Sequence, residues 1–422
     1  MQVPEERSRL NFFHGWQIPA AGFVFLFLTY GTRVYSFPVF FAEFLSDMGW
    51  TRTQTGAITS VSFAFYSVLV PILGNVIIPR VDIRRMLLYG CIIGGIGLIL
   101  LSTISEPWQC YLYYGIVMTF GMALIGLLPI SIIISNEFGG ASTPLGIASA
   151  GIGVGGVVMP LVSQFLISTF GWRVAFICLG IMVIVIGCPI SAAVRKKKAR
   201  SLISPPQSST AQTKREPLTG LQSGFNVRQV IKMSSFWFIM VASLVYFGAF
   251  MAVLTQLTAF AQDIVRLGPM AAASVVSLVC IFSIAGRLGF GKLGDMISKK
   301  YVLIVIMSLA VLSFIILLLA KNAIMLYISS SLLGLSLGIT PLIPVIIGDY
   351  FGKGHFAGIY SFSEAAQTIG CTIGPILGCW MFDSTHTYST VFTMCIVLAF
   401  SGVILACLLP RKSKAWGTDD SI

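Results

Sequence analysis

Residues 286–300 read GRLGFGKLGDMISKK. An apolar run over 270–291 enters this stretch and leaves it through one acid, Asp295, and a basic pair, Lys299 and Lys300. Gly291 has no Cβ, so a neighbouring helix is able to approach closely there. Asp295 is placed to pair with a basic group or a helix N-terminus and so to hold one conformation. Arg287 belongs to neither pattern, because it lies inside the apolar run. An arginine at the bilayer centre costs about 3 kcal/mol or more to insert, which asks for a function.

The rest of the chain sets that stretch in a membrane. Of 422 residues, 56% are hydrophobic and 10% charged, with a mean hydropathy of +0.91, a composition for a polytopic membrane protein rather than a soluble domain. The formal charge of +12 does not point to nucleic acid, since the basic residues cluster in short loops between apolar stretches. Nine cysteines, nearly all within apolar stretches (Cys178, Cys188, Cys280 and Cys407 among them), read as packing residues and not as a disulfide framework or a metal site. No cofactor is expected.

A crossing helix needs about 20 apolar residues. Twelve runs qualify: 15–43, 56–78, 86–104, 110–135, 145–169, 173–194, 235–262, 270–291, 301–320, 322–348, 356–382 and 387–409. The first is too long for the apolar core of a signal peptide and lacks a small-residue cleavage site. Between the sixth and seventh runs the chain is basic, rich in serine and proline, and free of hydrophobic period. The expected organisation is a six-helix bundle over 1–194, a cytoplasmic linker over 195–234 and a second six-helix bundle over 235–422. With both termini placed in the cytoplasm, that side collects Arg7, Arg9, Arg80, Arg84, Arg85, the linker cluster, Lys292, Lys299, Lys300, Lys353 and the basic tail. The far side keeps Arg52, Arg173, Arg266 and Lys321, an asymmetry that sets the orientation. Arg33 and Arg287 belong to neither side.

The halves also resemble each other. LLPISIIISNEFGG (127–140) closes the fourth run and LIPVIIGDYFGK (342–353) the tenth. Glycine-rich segments with a proline follow, GIGVGGVVMP (151–160) and GCTIGP (370–375). Duplicated six-span units are the build of many secondary transporters, whose sites lie near mid-membrane between the repeats.

On these residues a resemblance is recognisable. The glycine, three residues, aspartate and basic pair of 291–300 resemble the loop motif of the major facilitator superfamily, and GWR (171–173) agrees with it. The equivalent after the second run, GNVIIPRVDIRR (74–85), keeps Arg84 and Arg85 but has Ile78 where the acid is expected, with Asp82 out of register. Within the superfamily, YSFPVFFAEF (35–44) with GWTRTQTG (49–56), EFGGASTPLGIASAGIGVGG (137–156), SIAGRLGFGKLGD (283–295) and GPILGCWMFDSTHTYSTVF (374–392) are similar to the monocarboxylate transporters and their bacterial relatives, the oxalate/formate exchangers among them. The resemblance implies an all-α fold of twelve transmembrane helices in two pseudo-symmetric bundles. It also implies that Arg287 binds the substrate carboxylate, a role that suits the planar, permanently charged fork of a guanidinium.

The chain departs from the animal members of that family at two positions. Their aspartate one turn before the arginine is Ser283 here, and their first-span lysine aligns with Tyr35. The resemblance therefore does not carry over that family's route of proton coupling. Arg33, inside FLTYGTRVYSFPVFF (27–41), is expected to be a second positive group facing the cavity, the structural alternative being an arginine held by helix-end carbonyls or snorkelling outward. Glu364 in YSFSEAAQTIG (360–370) is the one acid deep in an apolar run. It is expected either to carry a coupling proton or to neutralise an arginine of the empty site. Tyr35, Tyr114, Tyr246, Gln256, Ser283, Tyr360 and Gln367 complete the candidate cavity residues; Gly291, Asp295, Arg84 and Arg85 are the candidate conformational latch.

The expected protein is a carrier of small organic anions, mono- or dicarboxylates, working by alternating access with proton coupling or exchange, as a monomer in the cell membrane and without enzymatic activity. Two rivals stand beside it. A proton-driven exporter of amphiphilic drugs would carry acids in its first-half cavity, and a sensor built on a carrier fold would carry a sizeable soluble extension.

Overall fold

The computed structural model describes residues 5–194, 225–352 and 354–410. Most of the expected linker, Lys353 and the basic tail lie outside the described residues. Twelve helices are long and apolar enough to cross a membrane: α1 (Trp16–Phe41), α2 (Gln54–Ile77), α3 (Ile83–Thr103), α4 (Pro107–Glu137), α5 (Ser142–Phe170), α6 (Trp172–Ala193), α7 (Ser234–Asp263), α8 (Met270–Met296), α9 (Lys299–Leu318), α10 (Ala323–Phe351), α11 (Phe356–Thr385) and α12 (Tyr388–Leu408). No strand occurs among the described residues. In hydrocarbon a helix satisfies its own backbone, which is why runs this apolar take no other form.

Packing repeats with an offset of six. In the first half α1 packs on α5, α2 on α4, and α3 on both α4 and α6; in the second α7 packs on α11, α8 on α10, and α9 on both α10 and α12. Two seams join the halves, α5 against α8 and α2 against α11, and the same offset interchanges them. Both α4 and α10 are interrupted, at Ile125–Gly126 and at Leu337–Gly338. The breaks align Gly126, Pro129 and Glu137 with Gly338, Pro341 and Asp349.

Two elements differ from the sequence reading. α8 continues as helix to Met296, so Asp295 sits on the helix and not in a loop. α5 lies close against this helix at Gly291, where a methyl group would stand 3.1 Å from the Gly146 Cα and from the Ser142 carbonyl oxygen. The first span widens into a π-helical turn over Gly31–Tyr35 before an α-helix resumes at Phe37. Pro38, with no N–H to give, stands at the start of that second piece. Such π-turns cluster at functional sites, and Arg33 is at the middle of this one.

Candidate functional site

A cavity of about 90 Å³ lies between the halves, walled by α1, α2, α4 and α5 on one side and by α7, α8, α10 and α11 on the other. Three charged side chains face it: Arg33, Arg287 and Glu364. All three are buried. Among the described residues no ion pair joins either guanidinium to a carboxylate. A cation buried without a counter-charge carries a desolvation penalty of several kcal/mol, and an anion entering the cavity relieves it.

Arg287 projects from α8. Its Nη1 donates to the Ser283 hydroxyl one turn earlier, at 2.5 Å, and that hydroxyl donates to the Cys280 carbonyl at 2.7 Å. Nε is buried with no partner. The Tyr35 phenol lies beside the guanidinium from the opposite half. Ser283 thus orients the arginine while leaving its charge uncompensated.

Arg33 is held more completely. Its Nε donates to the Ser62 hydroxyl at 3.0 Å and its Nη2 to the Ser62 carbonyl at 3.4 Å. The guanidinium carbon stands 4.6 Å from the centre of the Tyr66 ring and 5.1 Å from that of Phe63. Cation–π contact of this kind is worth about 2 kcal/mol when desolvated. Tyr114 donates its hydroxyl to the Arg33 carbonyl, and Thr119 links Ser62 to the Tyr114 backbone. One polar chain from α2 and α4 therefore positions both the backbone and the side chain of Arg33. Among the described residues no hydrogen bond reaches Nη1.

Glu364 is on α11. Its Oε1 accepts from the Tyr66 hydroxyl at 2.5 Å, across the two halves, and its Oε2 is buried without a partner. Tyr66 therefore stands between the first-half cation and the second-half acid, its ring under one and its hydroxyl on the other.

Of the candidates read from sequence, Arg33, Tyr35, Arg287, Glu364 and Gln367 line the cavity. Gln367 leaves its Nε2 without a partner. The other five stand behind the wall. Tyr114 and Ser283 orient the two arginines as described, and Tyr246 bonds to the Ser336 hydroxyl at 2.7 Å. The Tyr360 hydroxyl is turned toward Ser131 without reaching hydrogen-bond geometry. Gln256 is buried against Gly378, its Nε2 also unpartnered. Sequence reasoning missed Tyr30, Tyr66, Thr340 and Thr368 in the wall. Tyr66 had one signal, as the single tyrosine of the second run.

The linker-side ends of the two seams are closed. Asp295 accepts from the Ser142 N–H at 2.6 Å and hydroxyl at 2.9 Å, and from the Thr143 N–H at 2.8 Å and hydroxyl at 2.5 Å. It thereby caps the N-terminus of α5. Lys299 pairs with Asp349 at 2.8 Å, and Lys300 donates to the Cys407 and Leu409 carbonyls. Arg84 and Arg85 stand at the start of α3, half-buried and exposed. Asp82 beside them has one buried oxygen without a partner. The first half thus shows no counterpart of the Asp295 cap among the described residues.

This fold and its seams can be set against known proteins. The family model of the Major Facilitator Superfamily matches residues 22–340 and 290–419. The chain belongs to that superfamily. Among curated proteins this facilitator is similar to Monocarboxylate transporter 12 of Rattus norvegicus, 26% identical over 418 residues that cover 93% of this chain and 84% of the relative. Monocarboxylate transporter 13 of the same species is 23% identical over 397 residues, covering 93% and 88%. Among solved structures, a variant of the E. coli fucose:proton symporter shares the fold, with a TM-score of 0.72 at 13% identity, covering 94% of this chain and all of that one. The facilitator is accordingly a multi-pass membrane transporter of a small molecule and not an enzyme.

Proposed function

We propose that this facilitator carries small organic anions, mono- or dicarboxylates, by alternating access about the central cavity. The observation that carries the reading is Arg287: a buried guanidinium in the cavity wall, oriented by Ser283, with an unpartnered Nε and no carboxylate paired to it. A bidentate carboxylate supplies what is missing there, charge and acceptors in one plane. Arg33 adds a second positive charge from the other half, and Tyr35 and Gln367 add polar contacts. The likeness to two proteins named monocarboxylate transporters supports the same substrate class. An exporter of amphiphilic drugs finds less support, since the first-half wall holds an arginine where that reading asks for acids.

Rocking of the halves would part the α2/α11 and α5/α8 seams on the linker side and bring their far ends together. Asp295 on the N-terminus of α5, with Gly291 beneath it, would latch the linker-side closed state. Glu364 is the coupling acid in this reading, taking a proton at its free oxygen. The basic-residue asymmetry supports termini and linker on the cytoplasmic side, with the carrier working as a monomer in the cell membrane.

Thermal-shift titration of the purified carrier with oxalate, succinate, lactate and a neutral amide of matched size tests the substrate class. Stabilisation by carboxylates and none by the amide is the expected result. Equal response to the amide, or no response to any carboxylate, overturns it.

A further inference from the structure

Tyr66 is a residue that no motif singles out, yet it joins two charged side chains of the cavity that stand on two other helices. Its hydroxyl donates to Glu364 on α11, its ring lies under Arg33 on α1, and its own backbone is in α2. The hydroxyl also lies at the interruption of α4, where a methyl group on Gly126 would be 3.2 Å from it.

The bond to Glu364 is where the α2/α11 seam meets the cavity. On the linker side of it the two helices touch backbone to backbone: a methyl group on Gly74 would stand 2.5 Å from the Ala357 carbonyl oxygen. The Asn75 amide reaches the Ser361 hydroxyl at 3.4 Å. No charge assists that lower contact. The Tyr66–Glu364 bond, between a phenol and a buried carboxylate, is the one charge-assisted link across this seam among the described residues.

We infer that Tyr66 is a positioning residue whose hydroxyl ties Glu364 across the two halves and keeps the linker-side α2/α11 seam closed until Glu364 takes up a proton. The inference rests on the reading of Glu364 as the coupling acid. The proton comes from cavity water and binds Oε2, the oxygen with no partner. Glu364 is then neutral, and the Tyr66 bond falls from a charge-assisted to an ordinary hydrogen bond, roughly half as strong. The groups facing the carboxylate fit this sequence. Arg33 and Tyr30 face it from α1, Tyr66 from α2, and Tyr360 and Cys371 stand on its own helix, with Arg287 across the cavity. The wall from α7 and α10 carries no titratable group. Protonation therefore leaves two cations without their nearest acid, and the site then holds an anion more strongly as its inner gate loosens. Proton and carboxylate would cross together.

Hydrogen–deuterium exchange of the purified full-length carrier tests this, with rates at acid and neutral pH normalised to an unstructured reference peptide. In the wild type, peptides from the linker-side ends of α2 and α11 should exchange several-fold faster at acid pH than at neutral pH. Tyr66→Phe keeps the ring under Arg33 and removes only the hydroxyl. It and Glu364→Gln should each give the fast rate at both pH values, and the double variant should be no faster than either. A Tyr66→Phe carrier with wild-type exchange and wild-type pH response overturns the inference, and so do strictly additive effects. Oxalate and lactate thermal shifts on the same samples separate the two readings. Carboxylate binding with an unaltered seam removes the latch alone, whereas an altered seam in a wild type that binds no carboxylate removes the substrate class alone.

Discussion

Asp295 of α8 caps α5 in the other half of the molecule: its two carboxylate oxygens accept from the backbone N–H groups of Ser142 and Thr143 and from both hydroxyls. The first N–H groups of a helix have no partner within it, and their dipole favours a negative charge. The cap therefore stabilises contact between the halves on the linker side. Asp295→Asn replaces one acceptor by a donor that faces the Thr143 N–H. In a part-exposed position the loss is on the order of 1 kcal/mol. Net transport should fall several-fold while the carboxylate affinity of the purified protein stays within about twofold, measured by uptake and by calorimetry. An affinity loss matching the transport loss would place Asp295 in the binding reaction and not in the gate.

Gly146 meets Arg287 on the same seam. A methyl group there would lie 2.6 Å from the Arg287 carbonyl oxygen, a backbone atom that no rotamer change moves aside. Overpacking of this kind costs about 1–3 kcal/mol, and here the cost falls on the closed seam. Gly146→Val is expected to part α5 from α8 and raise deuterium exchange at the linker-side ends of both helices. Unchanged exchange would mean that the two helices slide past each other without loosening.

Much of this arrangement was legible beforehand, for physical reasons. Twelve apolar runs of bilayer length have one structural solution, and a guanidinium in mid-run announces its cost. Asp295 was read with two partners open, a basic group or a helix N-terminus, and the structure supplies the second. Hidden from the sequence were contacts made across it. Tyr66 and Glu364 are 298 positions apart, and nothing local marks a tyrosine that donates to a carboxylate in the other half. Tyr114, Tyr246, Gln256, Ser283 and Tyr360 were named for polarity on apolar helices, which does not say which face of the helix meets the cavity. The π-turns that rotate Arg33 and Tyr114 shift that face again.

Arg287→Lys keeps the charge but loses the planar fork and the bond that Ser283 uses to aim it. One charge-assisted hydrogen bond is worth about 1.5–3 kcal/mol, so carboxylate binding should weaken by about ten- to a hundredfold. Arg287→Ala should abolish uptake while the protein still purifies folded. Wild-type uptake by either variant would remove Arg287 from the site.

Arg33 decides between a one-charge and a two-charge site. Its Nε and Nη2 are occupied by Ser62 and its faces by Tyr66 and Phe63, so its contribution to a ligand is charge and the remaining Nη1. With the cavity empty, two guanidiniums in a low-dielectric space repel each other, a cost that Glu364 and water offset in part. A dicarboxylate relieves that repulsion at both ends, and a monocarboxylate at one. Arg33→Gln should therefore weaken succinate more than lactate, by a margin on the order of 1–3 kcal/mol, the scale of one charge-assisted hydrogen bond. Calorimetric titration of both ligands into wild type and variant measures the margin directly. Equal losses would show that Arg33 does not read a second charge. No loss for either ligand would make Ser62, Tyr66 and Tyr114 the partners for which Arg33 is kept, and its role would be to hold the π-turn of α1.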